Sequence, residues 1–254
     1  MTEDLENYIT VIDDEDFYKV INIKGRNQIH LPEGKIDCDE IRDLEHGGSF
    51  ELRGKDYYVL ECDLHDFIMQ GLHRQSQIIY PKESGYIALR LNLGPGTRVG
   101  EAGGGSGGLT AVFSRLVGGE GRVYTYERRE DFIPTLKHNL NDSSRFDNVI
   151  IHQQEVEDGI DHEELDAFFL DLKYPEKVLE EIKNSLRTGG HLGIFLPTTN
   201  QVERNLVSLD ELDFYIDEVA EIMLRQYKLN PDRFRPEDRM VGHTGYLIFA
   251  RLLD

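Results

Sequence analysis

The chain has 254 residues, enough for one large α/β domain with a smaller one attached. Its formal net charge of -20 argues against nucleic-acid binding, which normally needs a basic surface. Its two cysteines are not spaced like metal ligands. No apolar stretch reaches membrane-spanning length and the acidic start lacks the features of a signal peptide, so we expect a cytoplasmic protein without membrane contact.

The acidic charge is unevenly distributed along the chain. Residues 1–70 hold 7 basic and 18 acidic side chains, whereas residues 222–254 hold 6 basic and 4 acidic ones. A strongly acidic surface is typical of proteins adapted to a high-salt cytoplasm, where self-repulsion is screened. We therefore interpret the charge as an adaptation, and not as information about a substrate.

Residues 1–68 are predicted to form a small β-rich domain. Short β-type runs at residues 17–23, 28–31 and 57–60 are separated by turn signals. A linking helix is expected over residues 64–74, and residues 69–254 are predicted to form the second, larger domain.

Tyr80 stands in an irregular segment just after the linking helix. Pro81 pushes Tyr80 into an extended conformation, and Ser84 is the predicted cap of a helix over residues 85–91. Because Tyr80 lies close in sequence to a glycine-rich turn, we treat it as a candidate functional residue.

From residue 97 onward, strands and helices alternate. This repetition predicts a parallel sheet with helices on both faces, and ligands at the carboxyl ends of its strands. Two strands after the fifth, the last of them antiparallel, are typical of methyltransferases that use S-adenosylmethionine. The predicted strands are 98–102, 122–126, 149–152, 167–170, 190–196, a run within 214–223, and 244–252, and the predicted helices are 108–116, 131–140, 175–186 and one ending near 212.

The glycine-rich turn after the first of these strands matches two patterns. Gly103, Gly105 and Gly108 satisfy the dinucleotide fingerprint G-x-G-x-x-G. Glu101, followed by Gly103, Gly105 and Gly107, satisfies the E-x-G-x-G-x-G loop of S-adenosylmethionine-dependent methyltransferases. We favour the second, because Glu101 would attract the positive charges of S-adenosylmethionine and repel a pyrophosphate.

Charged side chains follow the next two strands. Glu127 is expected to accept hydrogen bonds from both ribose hydroxyls, and Arg128 beside it is expected to lie over the adenine ring. Glu155 is placed to reach the exocyclic amine of the adenine, with Glu157 and Asp158 as close alternatives.

Asp171 comes directly after the apolar strand 167–170. It is therefore brought to the same edge as the glycine turn, next to the reactive end of the ligand. A capping role fits poorly, because Pro175 opens the next helix.

Five motifs resemble the TrmI family of tRNA (adenine-N1)-methyltransferases, in its archaeal branch. The resemblance covers residues 70–254 well and the first domain loosely. It implies a Rossmann-like, class I methyltransferase domain, in a homotetramer that methylates N1 of adenine in the T-loop of tRNA. The motifs are Gln77-Ile-Ile-Tyr80-Pro-Lys, Glu101-Ala-Gly-Gly-Gly-Ser-Gly-Gly, Asp171-Leu-x-x-Pro175, Leu196-Pro-x-x-x-Gln201-Val and Gly242-His-Thr-Gly-Tyr-Leu.

The resemblance also implies roles for individual residues. Asp171 and Tyr80 are assigned to the target-base pocket as catalytic residues, and no metal is implied. Gly104 stands where the family commonly has Thr, and Glu176 where many members have Trp. The implied cofactor is S-adenosyl-L-methionine, bound by Gln77, Glu101, Gly103, Gly104, Gly105, Ser106, Gly107, Glu127, Arg128, Glu155, Asp171 and Leu172.

An acidic chain that binds tRNA needs a local basic surface. We expect one where Lys82 and Arg74 meet the arginines of the closing segment, which are Arg225, Arg233, Arg235 and Arg239.

Two other functions stay open at this point. A methyltransferase for protein isoaspartate or a small molecule would share the glycine turn, but it does not account for the motifs at residues 77–82 and 242–247. A non-catalytic tRNA-binding subunit of a hetero-oligomer is the second alternative, and the intact cofactor turn argues against it.

Overall fold

The computed structural model describes residues 7–141 and 146–254. The first six residues of the predicted domain 1–68 therefore lie outside the described part. The described residues form a four-stranded sheet, a two-stranded hairpin and a seven-stranded sheet. No helix within these ranges has both the length and the apolar content needed to cross a bilayer.

The small sheet is antiparallel, in the order β2-β1-β6-β5. The β-type runs predicted for the first domain are confirmed, whereas β1, β4, β5 and α1 were not predicted. The elements are β1 (Tyr8–Asp13), β2 (Tyr18–Asn22), β3 (Gln28–Leu31), β4 (Gly34–Asp37), α1 (Cys38–Arg42), β5 (Ser49–Leu52) and β6 (Lys55–Glu61), with β3 and β4 forming the separate hairpin.

The connection between the two sheets is shorter than predicted. Helix α2 (Leu64–Asp66) passes into a single π-helical turn, Phe67–Gly71, and Leu72 is already extended. Phe67 and Leu72 share an apolar cluster with Leu136 of the larger part. The division at residue 68 falls inside this turn and stays a prediction.

Helix α3 (Pro81–Arg90) begins four residues earlier than predicted. Tyr80 is its N-cap in an extended conformation, and Pro81 occupies the first helical position, where its missing N–H leaves no hydrogen bond unmade. The predicted capping role of Ser84 is wrong, because Ser84 lies inside the helix and donates a hydrogen bond to the carbonyl of Pro81.

The large sheet has the order β12-β13-β11-β10-β7-β8-β9. Strands β11, β10, β7, β8 and β9 pair in parallel, and β13 lies antiparallel between β11 and β12, as the sequence predicts. Its strands are β7 (Arg98–Ala102), β8 (Arg122–Tyr126), β9 (Val149–His152), β10 (Leu165–Leu170), β11 (Leu186–Leu196), β12 (Phe214–Ala220) and β13 (Tyr246–Leu252).

Helices cover both faces of this sheet. Successive side chains of β10 therefore enter different apolar clusters, with Phe168 on one face and Phe169 on the other, both fully buried. This packing fixes the carboxyl ends of β7, β8 and β10 at one edge. The helices are α4 (Gly108–Val117), α5 (Ile133–Asn141), α6 (Leu179–Ser185) and α7 (Thr199–Glu211).

Candidate active site

The glycine turn connects β7 to α4 and needs glycine for two reasons. Gly103, Gly105 and Gly107 have φ values of +96°, +54° and +85°, which side chains rarely tolerate. A Cβ atom on Gly103 would also lie 2.4 Å from the carbonyl oxygen of Asp171. The turn can therefore pack directly on the backbone of the residue that follows β10.

Glu101 lies in β7, just before the turn, and is 2% exposed. Its Oε2 accepts a hydrogen bond of 2.5 Å from the hydroxyl of Thr110. Burial is the main cause that raises the pKa of Glu101 to about 7. The charges of Asp171 and Glu127 act in the same direction, and the hydrogen bond from Thr110 acts against them. A cation beside Glu101 would favour its ionised form.

This raised pKa predicts a pH-dependent stability in the cofactor-free protein. Folded Glu101 keeps its proton up to about pH 7, whereas the unfolded group loses it near its ordinary pKa of 4.5. The folded state therefore binds more protons within this window, so its stability falls as the pH rises through it. We expect Glu101→Gln to remove that part of the decrease when melting temperatures are compared from pH 4.5 to 8. Parallel curves for the two proteins would contradict the assignment.

Glu127 follows β8 and is also buried. Its Oε2 accepts a hydrogen bond of 2.9 Å from the backbone N–H of Gly105, which joins it to the glycine turn. The guanidinium of Arg129 donates to both carboxylate oxygens, each at 2.9 Å. Burial would raise the pKa of Glu127, but the hydrogen bonds from Arg129 and Gly105 outweigh it and hold the pKa below its usual value.

Arg129 was not predicted from the sequence. It occupies both oxygens of the carboxylate that we predict to hold the ribose, and its guanidinium lies 3.4 Å above the centre of the Phe132 ring. The neighbouring Arg128 instead points to Glu155, at 3.4 Å from its Oε1. The sequence Glu-Arg-Arg alone could not decide which arginine turns back onto Glu127.

We expect Arg129→Ala to change the stability of the protein in a cofactor-dependent way. Loss of the guanidinium lowers the stability of the cofactor-free protein by about 1 kcal/mol, discounted because the side chain is 42% exposed. It also removes a competitor for the Glu127 oxygens, so S-adenosylmethionine should raise the melting temperature more than in the wild type. Arg251→Ala is the matched control, because it removes a similarly exposed arginine that is paired with a carboxylate, Asp217, outside the cleft. An equal cofactor-induced shift in all three proteins would show that Arg129 does not compete.

Asp171 is held against the glycine turn through its backbone. Its N–H donates a hydrogen bond of 2.9 Å to the carbonyl of Ala102, the last residue of β7. The side chain is exposed to the cleft, yet crowded by protein on its other sides. That crowding raises its pKa to about 6, with Arg129 lowering it and Glu127 raising it. At neutral pH Asp171 is therefore an anion facing the cleft.

The residues at this edge enclose one cavity of about 630 Å³. Tyr80 and Gly107 are not among the described residues that line it, and Glu157 lines it although Asp158 does not. The predicted residues that line it are Gln77, Glu101, Gly103, Gly104, Gly105, Ser106, Glu127, Arg128, Glu155, Asp171 and Leu172.

Two departures from the family pattern have local explanations. A Cβ atom on Gly104 would lie 2.5 Å from the hydroxyl oxygen of Thr125, so this chain has a hydroxyl from β8 beside the turn. Glu176 accepts hydrogen bonds from Arg204 and Asn205 of α7, at 3.2 and 3.4 Å. It therefore ties the segment after Asp171 to that helix.

The cavity fits S-adenosylmethionine. Its volume is in the range of small-molecule sites. The side-chain-free glycine turn leaves room for a ligand, and the carboxylates of Glu101, Glu127 and Asp171 suit a cationic ligand with ribose hydroxyls better than a pyrophosphate. Fold and cleft together define an S-adenosylmethionine-dependent methyltransferase of the Rossmann-like class.

The particular family follows from comparison with known proteins. Residues 58–235 match the family described as "tRNA methyltransferase complex GCD14 subunit", and the chain belongs to it. The tRNA (adenine(57)-N(1)/adenine(58)-N(1))-methyltransferase TrmI of Methanocaldococcus jannaschii is 30% identical over 240 residues, which cover 84% of this chain and 85% of that protein. The resemblance to TrmI is confirmed.

Two solved structures match over almost the whole chain. A SAM-dependent O-methyltransferase from Thermotoga maritima has a TM-score of 0.90 and 35% identity, covering 99% of this chain and 94% of that one. The tRNA (m1A58) methyltransferase TrmI from Aquifex aeolicus has a TM-score of 0.82 and 36% identity, covering 97% of each chain. These matches confirm the predicted fold, a Rossmann-like methyltransferase domain with a small N-terminal β domain.

Proposed function

We propose that this enzyme transfers a methyl group from S-adenosylmethionine to N1 of an adenine in the T-loop of tRNA. The proposal is carried by the position of Asp171, an anion exposed to the cofactor cleft and joined by its backbone to the glycine turn. The family and the tRNA specificity named for its relatives support the choice of substrate.

The cleft residues would hold the cofactor as follows. Bound S-adenosylmethionine supplies an electrophilic methyl group on a sulfonium. Glu101 would stabilise the positive charges of its methionyl part, and Glu127 would accept hydrogen bonds from the ribose hydroxyls in place of those from Arg129. Glu155 and Arg128 would hold the adenine end, and the glycine turn would leave room for the ligand. The proposed step calls for no metal.

Asp171 acts on the target base. N1 of adenine is paired inside folded tRNA, so the base must leave its stack before it can reach the cleft. Asp171 accepts a hydrogen bond from the exocyclic amine, and thereby stabilises the positive charge that N1-methylation leaves on the base. Tyr80 follows directly on Ile79, which lines the cleft, and we propose that it orients the base from the rim.

The segment between β12 and β13 supports the proposed homotetramer. It folds back on itself, with a bridge between Tyr227 and Pro236, and exposes Leu229, Phe234 and Val241 at 96%, 70% and 68%. Exposed apolar side chains of this size favour contact with another subunit. Light scattering of the purified protein tests this: a mass of four chains is expected, and a monomer would exclude it.

Two residues of the expected basic surface, Lys82 and Arg74, form hydrogen bonds within the protein instead. Lys82 is 12% exposed and is bound to Glu83, Thr244 and the carbonyl of Ile222. Arg74 donates to two carbonyls of the π-helical turn. We propose that the remaining arginines of residues 222–254 contribute to tRNA binding, in the cytoplasm of a salt-adapted archaeon.

Labelled S-adenosylmethionine and unmodified tRNA test the function. We expect label in tRNA and a reverse-transcription stop at an adenine of the T-loop. Transfer to isoaspartyl peptide or a small molecule alone would favour the first alternative, and no transfer in the absence of a second protein would favour the non-catalytic subunit.

A further inference from the structure

A second cavity, of about 250 Å³, lies between the small sheet and the π-helical turn. Lys19, Arg26 and His30 line it from the small domain, and Gln70 and His73 from the segment that leads toward the active site. We call these five residues the cationic pocket.

The charge of this pocket differs from that of the chain. No Asp or Glu is present among the described residues that line it. Lys19 and Arg26 are exposed, and neither forms an ion pair with a carboxylate in residues 7–141 or 146–254. By contrast, Lys55 is paired with Asp13 and Arg42 with Asp39, each at 2.7 Å. In a chain of net charge -20, two such cations facing one cavity create a local site for an anion.

The pocket is tied to the glycine turn by hydrogen bonds. The side chain of Asn139 is 1% exposed and accepts a hydrogen bond of 3.0 Å from the backbone N–H of His73. Its amide nitrogen donates to the carbonyl of His73 at 2.9 Å and to the carbonyl of Ser106 at 2.8 Å. On the other side, Gln70 accepts from the N–H of Val20 at 3.3 Å, which leaves its amide N–H groups available as donors.

The cationic pocket also lies near the cofactor cleft. His73 is three positions before Ser76, which lines that cleft. Three residues span at most about 10 Å. A phosphate of an RNA strand that places one nucleotide in the active site can therefore reach this pocket.

We propose that the cationic pocket binds a phosphodiester group of the tRNA, close to the nucleotides that enter the active site. This inference rests on the proposed function. Lys19 and Arg26 neutralise the phosphate, while His30, His73 and the Gln70 amide supply further hydrogen-bond donors. Contacts of this kind position an RNA without reading its sequence.

The test compares two double variants with the same change in net charge. Lys19→Ala with Arg26→Ala should weaken tRNA binding by roughly tenfold at low salt. It should also reduce the slope of log K against log salt concentration by about 1, because one phosphate is no longer neutralised. The control is Lys183→Ala with Arg187→Ala, whose ion pairs with Asp213 and Asp166 are exposed. The control should bind tRNA as the wild type does, and S-adenosylmethionine affinity should be unchanged in both. Exchanging the cations, Lys19→Arg with Arg26→Lys, should keep wild-type binding.

The outcomes separate this proposal from the proposed function. If the wild type methylates tRNA and the pocket variant binds tRNA like the control, the pocket proposal is wrong and the proposed function stands. If the pocket variant loses only its affinity for inorganic phosphate, the site takes a small anion and not RNA. A wild type that methylates no tRNA overturns both.

Discussion

Asp171→Ala is expected to slow methyl transfer to tRNA by roughly a hundredfold or more, the loss typical when one electrostatic stabiliser is removed. The affinity for S-adenosylmethionine should change much less, because Glu101, Glu127 and the glycine turn remain. Single-turnover transfer gives the rate, and calorimetry gives the cofactor dissociation constant.

Two further variants show whether the charge of Asp171 is what matters. Asp171→Asn keeps the size of the side chain and the backbone bond to Ala102, and should lose nearly as much activity as Asp171→Ala. Glu180→Ala removes an exposed carboxylate of α6 that does not line the cleft, and should leave the rate close to that of the wild type. Wild-type turnover by either Asp171 variant would exclude the proposed role.

Gly103→Ala is expected to impair both stability and activity. The added Cβ meets the carbonyl oxygen of Asp171 at 2.4 Å and forces a side chain into φ +96°. Strain and overpacking together should lower the free energy of unfolding by roughly 2–4 kcal/mol. Separation of the glycine turn from Asp171 should also lower the transfer rate by about a hundredfold, since a shift of about 1 Å can cost that much.

Gly118→Ala is the matched control for this variant. Gly118 also has a positive φ, of +65°, but nothing lies within 4 Å of its added Cβ. With ψ at −175° this backbone conformation is one that glycine almost alone adopts, so Gly118→Ala should cost roughly 1–3 kcal/mol of stability but leave transfer unchanged. Chemical denaturation measures both variants, and equal losses of stability and activity would show that the contact with Asp171 has no special weight.

The sequence predicted the large sheet well because its central strands β7, β8 and β10 are short, almost fully buried runs that end in clear signals. Strands β7, β8 and β9 have the predicted bounds. The small domain was harder, because β4 and β5 are four-residue strands with few buried side chains, and edge strands of this kind have weak patterns. The predicted start of α3 is four residues too late, because the prediction placed Pro81 outside the helix, whereas proline is favoured at the first helical position.

The candidate site was also predictable only in part. Strand ends could be located, so the sequence was sufficient to predict that Glu101, Glu127 and Asp171 approach one another. It could not show that Arg129 binds Glu127, because adjacent arginines differ only in the direction of their side chains. The cationic pocket was equally hidden, since Lys19 and His73 are far apart in sequence and meet only when the small sheet packs on the π-helical turn.

The position of β13 has a consequence for biosynthesis. Within the described part of the chain β12 pairs only with β13, which follows it in the sequence after a long connection. During translation β12 therefore emerges without a partner, and one side of β11 stays open until residues 246–252 have left the exit tunnel. A nascent chain of this protein therefore holds an unpaired, aggregation-prone strand edge until β13 emerges, which makes this interval the natural point for a chaperone to act.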